Sequence, residues 1–339
     1  MKNPIARIVS LAALAVAMST AAPRAEEAAA KGSIVVYNAQ HESLTKEWAE
    51  GFTRDTGVAV TLRNGSDMEF ANQIVQEGAS SPADVFLTEN SPAMALVDKA
   101  GLFEPLDEAT LSEVPAGLRP SNGHWIGIAA RSTVFAYDKN KLAEKELPAS
   151  IMDLAEPQWQ GRWAASPSGA DFQAIVSAML SLKGEEATLA WLKAMKANVT
   201  PYKGNSTAMK AVNAGQIEGA VIYHYYYFGD QAKTGENSKN VALHYFRHQD
   251  PGAFISLSGG GVLKSSANLP AAEAFVKWIA GKGGHEILKN GTSYEYAVGD
   301  GAASNPALVP LSELDAPRVV PDTLDNAKVT DLMTQAGLM

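Results

Sequence analysis

Apolar residues recur along this chain with two alternating periods. Residues 33–37 (Ser-Ile-Val-Val-Tyr) form a short apolar run of strand type. From about Ser43 onward, Leu44, Trp48 and Phe52 recur every four residues, which marks one face of a helix, and Gly57 closes it. Residues 58–62 read as a second strand. Residues 67–77 read as a second helix, with Phe70 and Ile74 on one face and Gly78 behind. Residues 84–87 are a third strand, and a third helix runs from Ala93 to about Lys99. A β-α-β-α-β-α order of this kind predicts a largely parallel, doubly wound α/β sheet.

Beyond residue 125 the texture changes. Residues 125–128 and 134–137 read as two extended strands around Arg131, as expected of a crossover between domains. A second α/β region follows, with helices over 168–182, 185–197 and 206–214 and a strand over 219–223. Strand character returns at 254–263, around three glycines, followed by an amphipathic helix over 271–280. The C-terminal part is proline-rich and then helical over 324–336. The late strand has no partner in its own stretch. The expected division is therefore discontinuous: residues 33–129 with 256–306 in one domain, and 130–255 with 307–339 in the other.

The first residues have the character of an export signal. Lys2 and Arg7 give a positive start, residues 8–17 are apolar but too few to span a bilayer, and Ser19-Thr20-Ala21 offers small residues for cleavage between 21 and 25. The chain has no cysteine, which excludes disulfides, thiolate metal sites, cysteine nucleophiles and a lipid-modified cysteine anchor. A free protein of a Gram-negative periplasm is expected. The formal charge of −9 disfavours nucleic acid as a partner.

Three polar features lie just past three predicted strands, near the carboxyl edges where open α/β sheets bind ligands. His41 follows the first strand, Glu89 the third, and Tyr225 and Tyr226 follow the strand ending near Tyr223. Together they offer an imidazole, a carboxylate and two phenols, a set suited to a hard cation. Glu89 and two tyrosinates would supply a charge of −3, which balances Fe³⁺ beside a neutral His41. A free phenol titrates near pH 10, so only a strong cation makes this ionisation favourable. Taken alone, aromatic packing explains the tyrosines at least as readily, a hydrogen-bonded loop histidine explains His41, and helix N-terminal charge explains Glu89. The convergence of all of them past strand ends favours ligation. Ser166-Pro167-Ser168-Gly169-Ala170 opens a helix, either as an anion site or as an ordinary N-cap by Ser168. His244 and His248 are four apart, but their stretch looks extended, and about 13 Å would separate them in a strand.

These residues resemble a known family, the ferric-iron-binding periplasmic proteins of the FbpA type. The resemblance runs through most of the chain after the export segment. It rests on Val36-Tyr37-Asn38-Ala39-Gln40-His41, on Ser81-Pro82-Ala83-Asp84-Val85-Phe86 with Glu89, and on Arg131-Ser132 with Tyr137-Asp138. Pro201-Tyr202 with Asn205-Ser206, the blocks at 247–253 and 262–266, and above all the tyrosine pair extend it. It implies a type II periplasmic binding fold of two α/β domains, each a mostly parallel sheet flanked by helices, with the ligand cleft between them. It implies Fe³⁺ held by His41, Glu89, Tyr225 and Tyr226, together with a synergistic anion, phosphate or carbonate, at Ser168, Gly169, Ala170 and Asn205. Asn90 stands where the family often has Gln, one methylene longer, which puts the anion in question. Arg131 is a candidate for the anion or for a structural salt bridge. The implied partner is an inner-membrane ABC permease served by a monomeric, non-enzymatic receptor. Two other readings stand beside this one: an organic cation in an aromatic box over residues 223–228, and a secreted metal hydrolase.

Overall fold

The computed structural model describes residues 32–339, and the expected export segment lies outside them. The first lobe opens with β1 (Ser33–Asn38), α1 (Glu42–Thr56), β2 (Ala59–Asn64), α2 (Asp67–Glu77), β3 (Val85–Leu87), α3 (Ser91–Lys99) and the short α4 (Glu108–Leu111). β1 pairs in parallel with both β2 and β3, as the alternating order predicts. Glycines close α1 and α2, Gly57 in the left-handed region and Gly78 at φ 54°.

The chain then forms β4 (Ile126–Asp138), one strand of 13 residues where the hydrophobic pattern predicts two. Arg131, Ser132 and Thr133 break the apolar run, yet all three are buried. The strand is covered along its whole length, so polar residues are accommodated by hydrogen bonds and do not mark a turn. The second lobe continues with β5 (Trp163–Ala165), α5 (Ala170–Asn198), β6 (Val199–Pro201), α6 (Asn205–Asn213), β7 (Gly219–Tyr223), α7 (Tyr225–Lys233) and β8 (Val241–His244). α5 is broken at Gly184, whose φ of 80° is left-handed, so it corresponds to the two helices read from the pattern. The chain returns through β9 (Ile255–Val262), α8 (Leu269–Ala280) and α9 (Lys282–Asn290), and ends with α10 (Asn326–Gln335).

The strand order is β2-β1-β3-β9-β4-β7-β5-β6, with β8 also on β4. The flanks are parallel, whereas β9 runs antiparallel to β3 and β4, and β4 antiparallel to β7 and β8. β4 is therefore shared: residues 126–132 pair with β9 and residues 133–137 with β7. Separate cores lie on either side of the shared strand. One gathers Ile34, Trp48, Phe52, Val262, Phe275 and Ile279; the other gathers Phe135, Trp163, Phe172, Trp191 and Leu192. Leu308 and Leu314 pack in the first core, and Val329, Leu332 and Met333 of α10 in the second. Among the described residues, no helix is long and apolar enough to cross a membrane.

Two side chains set the loops that carry the candidate site. Asn38 Nδ2 donates to Gln40 O at 2.9 Å, Thr45 Oγ1 at 2.9 Å and Asn64 Oδ1 at 2.8 Å, which fixes the turn from β1 into α1. Asp84, just before β3, accepts from Val35 N at 2.7 Å, Ser266 Oγ at 2.7 Å and Ala267 N at 2.9 Å. It joins β1 to the turn after β9. Asp84→Ala would leave buried N–H groups without acceptors, and an equilibrium urea titration of the metal-free protein is expected to show a loss of about 3 kcal/mol.

Candidate metal centre

The ends of β1, β3 and β7 open onto one place. His41 is the N-cap residue of α1, held there by its backbone N–H, which donates to Gln40 Oε1 at 2.7 Å. Glu89 and Asn90 lie between β3 and α3, and the Asp67 carboxylate accepts both backbone N–H groups, at 2.9 and 3.1 Å. Across the cleft, β7 ends at Tyr223 and α7 begins at Tyr225. This switch from strand to helix resolves a difficulty in the sequence pattern. Adjacent residues diverge in a strand, but here Tyr225 and Tyr226 occupy the first turn of a helix and stack with ring centroids 4.2 Å apart.

The structure brings the four expected ligands into one chain of contacts. His41 Nε2 is 2.8 Å from Glu89 Oε1. The His41 ring meets Tyr225 edge-on at 4.7 Å. Tyr226 Oη donates to Asp171 Oδ2 at 3.2 Å. Tyr225 Oη is buried and has no hydrogen-bond partner. His41 and Glu89 keep 26% and 23% of their side-chain surface open, so the centre is reachable from solvent. Among the described residues no three His, Cys, Asp or Glu side chains gather to hold a metal, so any ion here would depend on the phenols.

The turn expected to hold an anion opens α5 without a side-chain cap. Ser168 does not cap α5: the N-cap is Gly169, with no side-chain cap bond, and Ala170 is the first helical residue. Ser168 is exposed, and its carbonyl accepts from Gln173 Nε2 at 3.3 Å. The next residue, Asp171, is buried, and its carboxylate takes up the polar groups around it. Asn205 Nδ2 donates to it at 2.8 Å, Asn90 Nδ2 at 3.2 Å, and Tyr226 as above. Asn90 is fully engaged, donating also to Asp67 Oδ2 at 3.1 Å and accepting from Ser256 Oγ at 2.9 Å. Its bond to Asp171 links the two lobes. Arg131 is fully buried and reaches the Glu89 carbonyl, Gln40 Oε1 at 3.0 Å and Glu295 Oε2 at 3.1 Å. Its contacts are those of a buried ion pair, and its guanidinium also faces the Tyr225 ring at 5.7 Å.

The pattern read from sequence missed Asp67, Asp171 and Glu295. Asp171 carries only the signal of an acidic residue in a first helical turn. Glu295 could have been noticed as a lone charge between Tyr294 and Tyr296. His244 and His248 do not meet at a metal: His244 lies in β8 against Pro148 O, and His248 sits in an exposed left-handed turn.

The electrostatics describe a centre loaded with protons. Burial pushes the Tyr225 phenol well above its usual range, and the Asp171 charge adds to this. Burial and Asp171 raise Tyr226 in the same way. Burial alone would lower the pKa of His41, but the Glu295 and Glu89 carboxylates overcome it and raise it to about 10. Burial would raise Glu89, but His41 and Arg131 hold it below the usual carboxylate range. A bound cation must therefore displace protons, which only a strong Lewis acid does well.

Two α/β lobes that share a strand, with donors from both lobes on one cleft, define a solute-binding protein of the type II periplasmic kind. Residues 80–323 match the family model for bacterial extracellular solute-binding proteins. Iron-bound HitA from Pseudomonas aeruginosa superposes with a TM-score of 0.85 at 40% identity, covering 90% of this chain and 99% of HitA. The Fe(3+)-binding periplasmic protein of Serratia marcescens is 65% identical over 339 residues, the whole of both chains, and the major ferric iron-binding protein of Neisseria meningitidis serogroup A is 38% identical over 97% of this chain and 98% of its own. The chain belongs to the ferric-iron-binding periplasmic proteins of the FbpA type.

The interlobe bond at Asn90 can be tested directly. Asn90→Asp would replace two donated hydrogen bonds with carboxylate facing Asp67 and Asp171. Urea unfolding of the metal-free protein is expected to register a loss of about 3 kcal/mol.

Proposed function

We propose that this protein captures Fe³⁺ in the periplasm with His41, Glu89, Tyr225 and Tyr226, and delivers it to an inner-membrane ABC permease without catalysing a reaction. The observation that carries this reading is Tyr225 Oη, a buried phenol without a partner beside a second phenol, an imidazole and a carboxylate. A buried polar atom left unpaired is uncommon unless a ligand completes it. Hard oxygen donors with one imidazole suit ferric iron. Delivery to a permease is supported by membership of a solute-binding family, and action as a monomer is part of the same proposal. An aromatic box for an organic cation fits less well, because Arg131 already faces the Tyr225 ring.

In this reading the lobes are residues 33–129 with the segment from 256 onward, and 130–255 with α10. Leu308 and Leu314 in the first core and Val329 in the second favour a return crossing after Leu314, later than the 307 drawn from the pattern. Hinge closure about β4 and β9 brings Glu89 and His41 to the tyrosines.

Asp171 occupies the place expected of a phosphate or carbonate; burial and the Glu89 charge raise its pKa, so its proton, like those of the phenols, would leave as the cation binds. Its carboxylate already holds Asn205, Asn90 and Tyr226, beside the Ser168-Gly169-Ala170 turn expected to bind the anion. In this reading that internal carboxylate stands in for the external anion.

Purified protein titrated with ferric citrate is expected to develop a visible tyrosinate-to-iron charge-transfer band. Tyr225→Phe and Tyr226→Phe are each expected to diminish it and to weaken iron binding by more than about 100-fold, since loss of a ligand costs more than loss of its outer support. Colour and affinity intact in both variants would refute the assignment. In buffers freed of phosphate and carbonate, the native protein is expected to keep its iron, while Asp171→Asn binds about 10-fold more weakly and recovers when phosphate is added. A native protein that loses iron without an anion would return that role to the external anion.

A further inference from the structure

We propose that Glu295 is the positioning residue for His41: it takes the Nδ1–H of the imidazole and so presents Nε2 to the metal. The proposal rests on His41 being an iron ligand. Glu295 lies in the segment between α9 and the C-terminal crossing, far in sequence from any ligand, and its side chain is fully buried. Oε2 is satisfied by Arg131 Nη2 at 3.1 Å, Gln40 Nε2 at 3.1 Å and Ser258 Oγ at 3.3 Å. Oε1 is left for the imidazole: it lies 2.8 Å from His41 Nδ1, within hydrogen-bonding distance. Nε2, on the opposite side of the ring, faces Glu89. The ring is thus held between two carboxylates, only one of which belongs to the ligand set. With Nδ1–H donated to Glu295 Oε1, the lone pair of Nε2 is left for a metal shared with Glu89. A carboxylate behind a ligating imidazole selects its tautomer and raises its donor strength.

The backbone around Glu295 is built to hold it in place. Tyr294 has φ 54°, a left-handed conformation that a bulky residue adopts only when its surroundings impose it. Its carbonyl accepts from His224 Nε2 at 2.7 Å, and its ring stacks on Phe228 at 5.7 Å. Tyr296 is bridged to Ala130 of β4 by two backbone bonds, at 2.9 and 3.0 Å. The segment is clamped to the second lobe before Glu295 and to the shared strand after it, so the carboxylate cannot follow His41 if the imidazole swings away. Neutralising Arg131 is the competing explanation for a buried carboxylate, and it requires only Oε2.

The test is a double-mutant cycle on iron affinity, read by competition with citrate in His41→Ala, Glu295→Gln and the double variant, with the melting of each metal-free protein measured alongside. Glu295→Gln is expected to weaken iron about 10- to 100-fold in the native background and to have no further effect once His41 is Ala. An equal loss in both backgrounds, or no loss in either, overturns the proposal. An unchanged affinity in His41→Ala removes the ligand reading itself, and the positioning role with it. A measurement on the unaltered chain does not depend on the variants folding. In ¹⁵N NMR of the protein loaded with diamagnetic gallium(III), His41 should be protonated at Nδ1 and bound through Nε2. The reverse arrangement, or an unprotonated Nδ1, overturns the proposal.

Discussion

The buried ion pair of Arg131 and Glu295 is the constraint on which the rest of this structure depends. A guanidinium without solvent is costly unless its donors are satisfied. Here they reach Glu295, Gln40, Ser258 and the Glu89 carbonyl. Each of these belongs to a different segment: Gln40 to the turn after β1, Glu89 to the turn after β3, Ser258 to β9, and Glu295 to the chain beyond α9. One cation on the strand common to both lobes thereby holds together the pieces that carry His41 and Glu89. Exposed, the same pair would contribute little; buried, it dictates where the loops end.

The second lobe answers with a neutral histidine. His224 donates its backbone N–H to Ser132 O at 3.1 Å, accepts Ser132 N–H on Nδ1 at 3.1 Å, and donates Nε2–H to Tyr294 O at 2.7 Å. Burial pushes its pKa down to about 4, so it remains uncharged beside Arg131. These three bonds fix the point at which β7 gives way to α7, and hence the side on which Tyr225 and Tyr226 emerge. The two halves of the site are tied to adjacent residues of β4, Arg131 for one and Ser132 for the other. Each half is thereby held internally against the same strand.

The lobes also meet through polar contacts of their own. Asn90 from the first lobe and Asp171 and Tyr223 from the second meet in a buried patch, Tyr223 Oη donating to Asn90 Oδ1 at 3.5 Å and to Asp171 O at 3.3 Å. Asp171 takes part both in this interlobe contact and in the hydrogen bond from Tyr226. Met94 packs against Gly259, where any Cβ would come within 2.3 Å of Met94 Cγ, so α3 sits close on β9 and brings Asn90 to the lobe boundary.

The periodic pattern was enough to locate most of the strands and helices, because a strand or helix face is encoded by neighbours two to four residues apart. For the same reason His41, Glu89 and the tyrosine pair could be expected in one place, where the structure has them: each lies a few residues past a strand end, and strand ends share one edge of a sheet. The pattern split β4 at Arg131 because burial on both faces, which makes the polar residues acceptable, is not a local property. It also could not single out Asp171 or Glu295. Asp171 looks like any acid in a first helical turn, and Glu295 reaches Gln40 across 255 residues of sequence. The kinds of donor, and the strand ends from which they emerge, were determined by the sequence alone. Which carboxylate stands behind His41, and which one gathers Asn90, Asn205 and Tyr226, was decided only by the tertiary structure, since those contacts exist only once the two lobes are folded against each other.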